Sequence, residues 1–425
     1  MSGDGSSGLL TLPEYGKLSY ETLGEAGVYS LEKVTKDLGV PVFRFSRTHA
    51  QAQQYVGMVK AGERTIQVLP KIYEEDSQNL GFLVFMLSYT KRLKLRPVGT
   101  ADYEKLNGSF LEVWIRHFAT ELNRLLHRHL MRRYVEVEER TGFLRGKLLV
   151  ERELSGAGNL YARYACRYEV FTPNHLLNRV LRFCNGLLLK QTRVSANRSL
   201  LRKNDLLLSD VDPGIIRPSD LDRIHLDRLN RHYEPILGLC RLLLDNSTLD
   251  LRAGRVTQLA FVFDMNRLFE EFVAEFLKRH AGKIELGGGQ RLEEVSYQHR
   301  LGRLFDEFDM NADLVLTDNA GDSFVVDTKY KILDPKERHG GLSQADFYQM
   351  YAYGSAGKRR YDEIVLLYPT SIPIRRDFRQ NKLRLYVRQF DPRTIYDHEN
   401  GGLNEAAVAK ELSQALSDVP FGEWY

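Results

Sequence analysis

The sequence predicts an α+β multidomain protein: a β-rich beginning, a mainly helical middle and a C-terminal α/β part on a mixed sheet. Three observations carry this. Apolar residues alternate in short runs over the first hundred positions, then recur at three- and four-residue steps from about 105 to 250. From about 255 onward, helix and strand patterns take turns. We place the parts at 1–104, 105–254 and 255–425, since 425 residues suit about three cores. The second boundary is soft, because Asn246-Ser247-Thr248 is only a brief polar break.

In the first part Val42-Phe43-Arg44-Phe45 alternates. Tyr55 to Lys60 and Arg64 to Leu69 read as strands joined by Ala61-Gly62-Glu63, a hairpin with glycine in a three-residue loop. Pro70 closes the second strand, since proline gives no ladder donor. A helix is expected from about Asn79 to Leu93. In the middle part Phe110, Leu111, Trp114, Ile115, Phe118, Leu122, Leu125 and Leu126 mark one face of a long helix. Leu176 to Leu189, opened by Thr172-Pro173-Asn174, and Leu237 to Leu244 read as further helices, with a strand-like ribbon at Tyr134 to Tyr168. In the last part Asp264 is suited to cap a helix carrying Leu268, Phe269, Phe272, Val273, Phe276 and Leu277 on one face. Gly287-Gly288-Gly289 is expected to end an intervening strand. Strands Ala312 to Leu316 and Ser323 to Lys331 come next, joined by a turn at Asp318-Asn319-Ala320-Gly321. A helix from about Gln344 to Ser355 then precedes a buried strand, Ile364 to Tyr368.

Composition narrows the class. Hydrophobic content of 43% with 27% charged residues is that of a soluble globular chain. No run of 18 apolar residues is present, so no membrane-spanning helix is expected. The start, MSGDGSSGLLTL, lacks the order of a secretory signal and reads as a frayed terminus. Cys166, Cys184 and Cys240 are far apart in sequence and offer neither a zinc spacing nor a disulfide framework, which fits a cytoplasmic protein. A net charge of +4 permits nucleic-acid binding without requiring it.

The stretch richest in chemistry is Asn311 to Lys331, NADLVLTDNAGDSFVVDTKYK. Its first strand is apolar apart from Asp313, and its second is apolar until Asp327 and Lys329. Residues two apart on a strand point to one face, and the turn folds Asp313 toward them. Two carboxylates and an ammonium then converge at a sheet end. Magnesium takes one or two carboxylates, keeps waters and completes its shell with substrate phosphate. The ammonium suits charge growing on phosphoryl oxygens. The plainer reading is a weak surface ion pair, because D-x-K is short and common. The apolar flanks weigh against that reading.

Asp313 followed by Asp327-Thr328-Lys329 on the next strand resembles the PD-(D/E)xK nuclease motif, with the helix from Asp264 as the helix leading into that core. Ala312 stands in the motif's proline position, and Asp327 replaces the commoner glutamate. The resemblance narrows to the McrC family, the nuclease subunit of the McrBC 5-methylcytosine-dependent restriction system. It rests on YVGMVKAGERTIQVLPKI (Tyr55 to Ile72), LRGKLL (Leu144 to Leu149), MNRLFEEFV (Met265 to Val273), ADLVL and VVDTKYK, in order over most of the chain. It implies a restriction-endonuclease-like core, Mg2+ held by Asp313 and Asp327, and Lys329 as the assisting cation. Gln349 and Tyr353, four apart on one helix face, are similar to a Q-xxx-Y pattern that positions substrate or lysine in some of these nucleases. Glu270 is a further candidate for the metal shell, although a solvated helix flank is its plainer reading.

Two decoys are set aside. Gly354-Ser355-Ala356-Gly357-Lys358-Arg359 lacks the spacing of a phosphate loop, and nothing else in the chain resembles a nucleotide fingerprint. His127 and His129 diverge on a helix. Arg124, Arg128, Arg132 and Arg133 are expected along one side of the long helix, with Arg145 and Lys147 beyond, as a phosphate-binding stripe, an acidic-partner contact or a solvated face. Lys358, Arg359, Arg360, Arg375, Arg376 and Arg379 lie nearer the candidate site in sequence and suit the DNA backbone. The resemblance implies a GTP-hydrolysing AAA+ ring of McrB type as partner, double-stranded DNA with modified cytosine as substrate, and an N-terminal docking and coupling arm. A nuclease dimer for cutting both strands stays open. Two rivals remain: a stand-alone nuclease of the same fold, and a non-catalytic adaptor that only stimulates its partner's GTPase.

Overall fold

The structure, a computed structural model, describes residues 8–61, 64–90, 105–106, 108–128, 130–154, 163–250, 255–304, 307–331, 333, 336–355, 361–397, 402–417 and 419. It is α+β with several separate sheets. Two compact units emerge: Met1–Phe110 together with Ala260–Tyr425, and Leu111–Leu259.

In the first unit, β1 (Leu9–Pro13) lies parallel to the second strand of a hairpin. Helix α1 (Glu25–Leu38) buries Leu31 and Val34 in one cluster with Val59, Ile66 and Val68 of that hairpin. The hairpin is β2 (Tyr55–Ala61) and β3 (Arg64–Leu69), and its pairing reaches Ala61↔Arg64. Ala61 therefore belongs to the ladder and not to a three-residue loop. Gly62 and Glu63 lie outside the described residues. Helix α2 (Asp76–Tyr89) begins three residues before the expected Asn79, and Leu93 lies outside the described residues.

Strand β4 (Arg255–Asp264) runs next to β2 and leads into helix α3 (Met265–His280). Asp264 caps α3 as expected, its side chain accepting from Asn266 N at 2.9 Å. The apolar face of α3 meets α2 through Phe272 on Phe85 and Phe276 on Tyr89, at ring distances of 5.6 and 5.1 Å. The glycine run does not end a strand: Gly287–Gly289 is a single 3-10 turn inside the isolated bridge Glu285↔Arg291.

Beyond the glycines the chain forms the long strand β5 (Leu292–Leu304), then β6 (Phe308–Asp318), β7 (Ser323–Thr328), α4 (Gln344–Ser355), β8 (Glu363–Pro369), β9 (Arg376–Gln380) and β10 (Leu383–Phe390). The sheet order is β5-β6-β7-β8-β10-β9. Its first three strands pair antiparallel, β7, β8 and β10 are parallel, and β9 closes antiparallel on β10. It is the mixed sheet the alternation predicts. One face, with Val315, Val325, Leu366, Tyr368 and Val387, shares a core with Met350 and Tyr353 of α4. β7 stops at Thr328, not Lys331; the Lys329 N–H adds one last bond to the Leu367 carbonyl at 2.9 Å.

In the second unit a helix spans Phe110–Arg128, followed by a ribbon of Arg133–Thr141 against Tyr164–Thr172 and then Leu176–Gln191, Ser195–Leu207 and Glu234–Asp245. Buried Glu112 ties these helices together. It accepts from Thr192 Oγ1 at 2.7 Å, Arg193 N at 2.6 Å and Asn197 Nδ2 at 2.7 Å. The arginine stripe is broken, because the helix ends at Arg128 while Arg133 starts the ribbon. Arg124 is also engaged, with Glu121 at 2.6 Å. His127 is exposed, and His129 lies outside the described residues. All three cysteines are buried and unbridged. No described helix is long and apolar enough to cross a membrane.

Candidate active site

Register brings the two aspartates together. β6 and β7 pair as Val315↔Val325 and Leu314↔Val326, so Asp313 and Asp327 are the next residue of each strand, just past the last ladder pair and on the face of Val315 and Val325. Asp313 Oδ2 accepts from the Thr328 amide at 2.9 Å and the Thr328 hydroxyl at 3.1 Å, so the residue between Asp327 and Lys329 fixes the first carboxylate. Asp327 is fully buried. Lys329 Nζ stands 2.6 Å from its Oδ2 as an ion pair, and the buried Oδ1 has no hydrogen-bond partner.

Helix α4 supplies the other wall. Lys329 Nζ donates to Gln349 Oε1 at 3.0 Å, Gln349 Nε2 donates to Tyr353 Oη at 2.6 Å, and Tyr353 Oη donates to the Asn311 carbonyl at 2.7 Å. This relay has one sense. The tyrosine's single proton goes to Asn311, so the hydroxyl accepts from the amide nitrogen and the amide oxygen turns to the lysine. Glu270 reaches the same locality from α3, bonded by Gln298 Nε2 and within the field of Asp313. The structure thus gathers Asp313, Asp327, Lys329, Gln349, Tyr353 and Glu270.

Burial sets the electrostatics. It pushes Asp327 up to about 7, the Asp313 carboxylate adding and the Lys329 ammonium opposing. Asp313 is raised by burial against the Thr328 and Lys329 donors. Burial alone would lower Lys329, but the carboxylates of Asp327, Asp313 and Asp346 outweigh it and raise it. Glu270 is raised to about 7 by burial and then by Asp313.

The donor set can be tested against a divalent cation. Among the described residues no group of three or more His, Cys, Asp or Glu side chains forms a complete metal cage. Magnesium does not need one, since one or two carboxylates with water and phosphate suffice. A buried carboxylate with one oxygen unpartnered, in the field of a second carboxylate, fits such an ion. The group carries a cost that a cation would relieve.

The family profile described as McrBC 5-methylcytosine restriction system component matches residues 50–369. The chain belongs to this McrBC family. Among solved structures, a chain of the refined half-complex from the tetradecameric assembly of Thermococcus gammatolerans McrB AAA+ hexamers with bound McrC is similar over 96% of this chain and 99% of its own, at 22% identity and a TM-score of 0.73. A chain of the cryo-EM structure of the Thermococcus gammatolerans McrBC complex is similar over 65% of this chain and 89% of its own, at 24% identity and a TM-score of 0.50. Those likenesses speak for the fold. No curated protein matches.

In this McrBC-family chain, three residues around the candidate site escape a reading of the sequence. Asp346 accepts from Tyr368 Oη at 3.2 Å and adds its charge to the field at Asp327. Its spacing of three before Gln349 and seven before Tyr353 is a legible signal. Thr328 is readable only as the middle of D-x-K. Glu14 is buried 316 positions before the tyrosine that meets it, Tyr330 Oη donating to its Oε2 at 2.8 Å. Nothing local marks it.

Proposed function

We propose that this chain is the McrC-type nuclease subunit of a modification-dependent restriction complex, cutting DNA phosphodiester bonds through a PD-(D/E)xK site. The observation that carries this is the buried Asp327 beside the half-buried Asp313, with Lys329 2.6 Å from Asp327, at the end of a mixed sheet in a member of the McrBC family.

Asp313 and Asp327 would hold Mg2+, which when bound polarises the phosphoryl oxygen and makes water more acidic. The chain's own groups do the rest. Thr328 locks Asp313, so one carboxylate is oriented before any ligand arrives. Lys329, steered by Asp327 and the Gln349–Tyr353 relay, places one positive charge where the pentavalent phosphate gathers negative charge, and orients the attacking water. Glu270, holding a proton more readily than an ordinary glutamate, stands beside the carboxylates as an added acceptor or acid. Arg375, Arg376 and Arg379 lie exposed at or beside the sheet's edge strand and supply contacts to the DNA backbone. Lys358, Arg359 and Arg360 lie outside the described residues.

The two solved assemblies contain McrB with McrC or the McrBC complex. Their likeness supports a partner of the same kind here: a GTP-hydrolysing AAA+ ring that recognises modified cytosine while this chain cuts, in the cytoplasm. The chain's N-terminal half would dock on that ring and stimulate its hydrolysis. The test is plasmid cleavage with Mg2+, GTP and the partner. Wild type cuts, and Asp327→Ala loses cutting while keeping partner binding and GTP turnover. Full cleavage by Asp327→Ala sinks the reading. Robust cutting by the isolated chain without partner or nucleotide favours a stand-alone nuclease.

A further inference from the structure

A cavity lies on the face of the mixed sheet that carries Asp327, apart from the carboxylates. It encloses 560 Å³ and is lined by His339, Leu342, Gln344, Phe347, Arg376 and Phe378. Its place comes from register. Asp327 pairs with Leu366, Leu366 with Val387, and Val387 with Arg376. Residues in one such row point to the same face, so Arg376 and Phe378, two further along β9, share the face of Asp327. Three strand spacings separate them, roughly 14 Å. Helix α4 spans the gap: Asp346 sends its charge to Asp327, while the next residue, Phe347, meets Phe378 edge to face at 4.9 Å. A second link is Lys331, two residues past Lys329, which donates to the Gly341 carbonyl at 2.7 Å in the turn that carries His339.

The lining has one chemical character. Two phenyl rings form an apolar wall, with Phe378 39% exposed. The Arg376 guanidinium, fastened to the His339 carbonyl at 3.0 Å, forms the rim, and the Gln344 amide adds donors and an acceptor. Stacking surfaces beside a planar cation suit a flat heteroaromatic ring whose backbone is anionic. Arg376 and Phe378 are both exposed on β9, so the cation at the mouth is open to a phosphate chain.

We propose that this cavity holds one unstacked nucleobase of the DNA strand being cut, a few nucleotides from the phosphate at Asp327. The inference rests on the nuclease reading and goes beyond it by giving the chain a grip on base rings as well as backbone. A base held there fixes the strand against sliding while the phosphate is attacked, without reading its identity, because every base offers a π face.

The test uses the full chain in chelator, where no cutting occurs, and two single strands of equal length, one of deoxyadenosine and one of abasic sugar-phosphate. Wild type should prefer the base-bearing strand by roughly five- to a hundredfold, the span of one stacked base. Phe378→Ala should bind both strands with the wild-type abasic affinity, and Phe378→Tyr should restore the preference. Equal wild-type affinity for the two strands overturns the proposal. So does an undiminished preference in Phe378→Ala, which would leave the cavity to a protein partner. Parallel cleavage assays with Mg2+ and the partner separate the two levels. Cutting without base preference removes the pocket alone, whereas a wild type that neither binds nor cuts DNA removes the nuclease reading and the pocket with it.

Discussion

Asp327 owes its state to position: zero exposure, a lysine on one oxygen and an aspartate on the neighbouring strand. Replacing Lys329 by Met removes the positive charge but leaves both carboxylates, so cleavage should fall by on the order of a hundredfold or more. Replacing Gln349 by Ala loosens the lysine without removing it, and a loss nearer tenfold is expected in the same assay. Glu14 makes a separate prediction about stability. Burial, opposed by the Tyr330 and Lys71 donors, lifts it from 4.5 to about 7. The folded chain therefore keeps a proton over that interval that the unfolded chain releases. Stability present below pH 4.5 is lost as pH rises through about 7. Glu14→Gln should flatten this slope, matching wild type near pH 4 and exceeding it at pH 8 by up to about 3 kcal/mol in urea unfolding. An unchanged slope would show that Glu14 carries no raised value. The aspartate–lysine cluster was legible because a strand's period of two and one turn suffice to assemble it. Glu14 was not, since it depends on Tyr330, 316 positions away, meeting it.

Elements whose signals are local were the easier ones to read. Asp264 before an apolar helical face foretold α3, and Asp264→Ala should cost about 1 kcal/mol in chemical denaturation. The α4 bounds, Gln344–Ser355, agree with the expectation. β5 was missed for a physical reason: its pairing shifts between Leu292 and Glu294 and again between Arg300 and Gly302, which breaks the alternation that identifies a strand. Ser195–Leu207 was missed because it is polar overall, with Asn197, Leu201 and Asn204 as its buried residues. Gly57 shows what sequence alone withholds. Its φ of +124° is one that side chains rarely adopt, and the Phe261 carbonyl oxygen occupies the space a Cβ would need. Gly57→Ala should destabilise the first unit by more than about 2 kcal/mol or leave the protein unfolded. A thermal midpoint equal to wild type would contradict that close approach.

For the whole molecule, residues before 111 pack with those after 259 as one unit, and the segment between them forms a unit of its own. Alternating patterns distinguished strand-rich from helix-rich stretches, but periodicity carries no record of which distant stretches share a core. Buried contacts such as Tyr330 on Glu14 and Phe85 on Phe272 decide that. The C-terminal mixed sheet and the N-terminal strands consequently rise or fall together, and loss of the first fifty residues should abolish soluble, folded protein on expression. The most direct check on the account is calorimetric titration of Mn2+ into the wild-type chain, Asp313→Ala and Asp327→Ala, each first shown to be folded. Saturable binding by wild type that disappears in both variants is the predicted result. Equal binding by all three chains, or none by wild type in the presence of DNA, would contradict it.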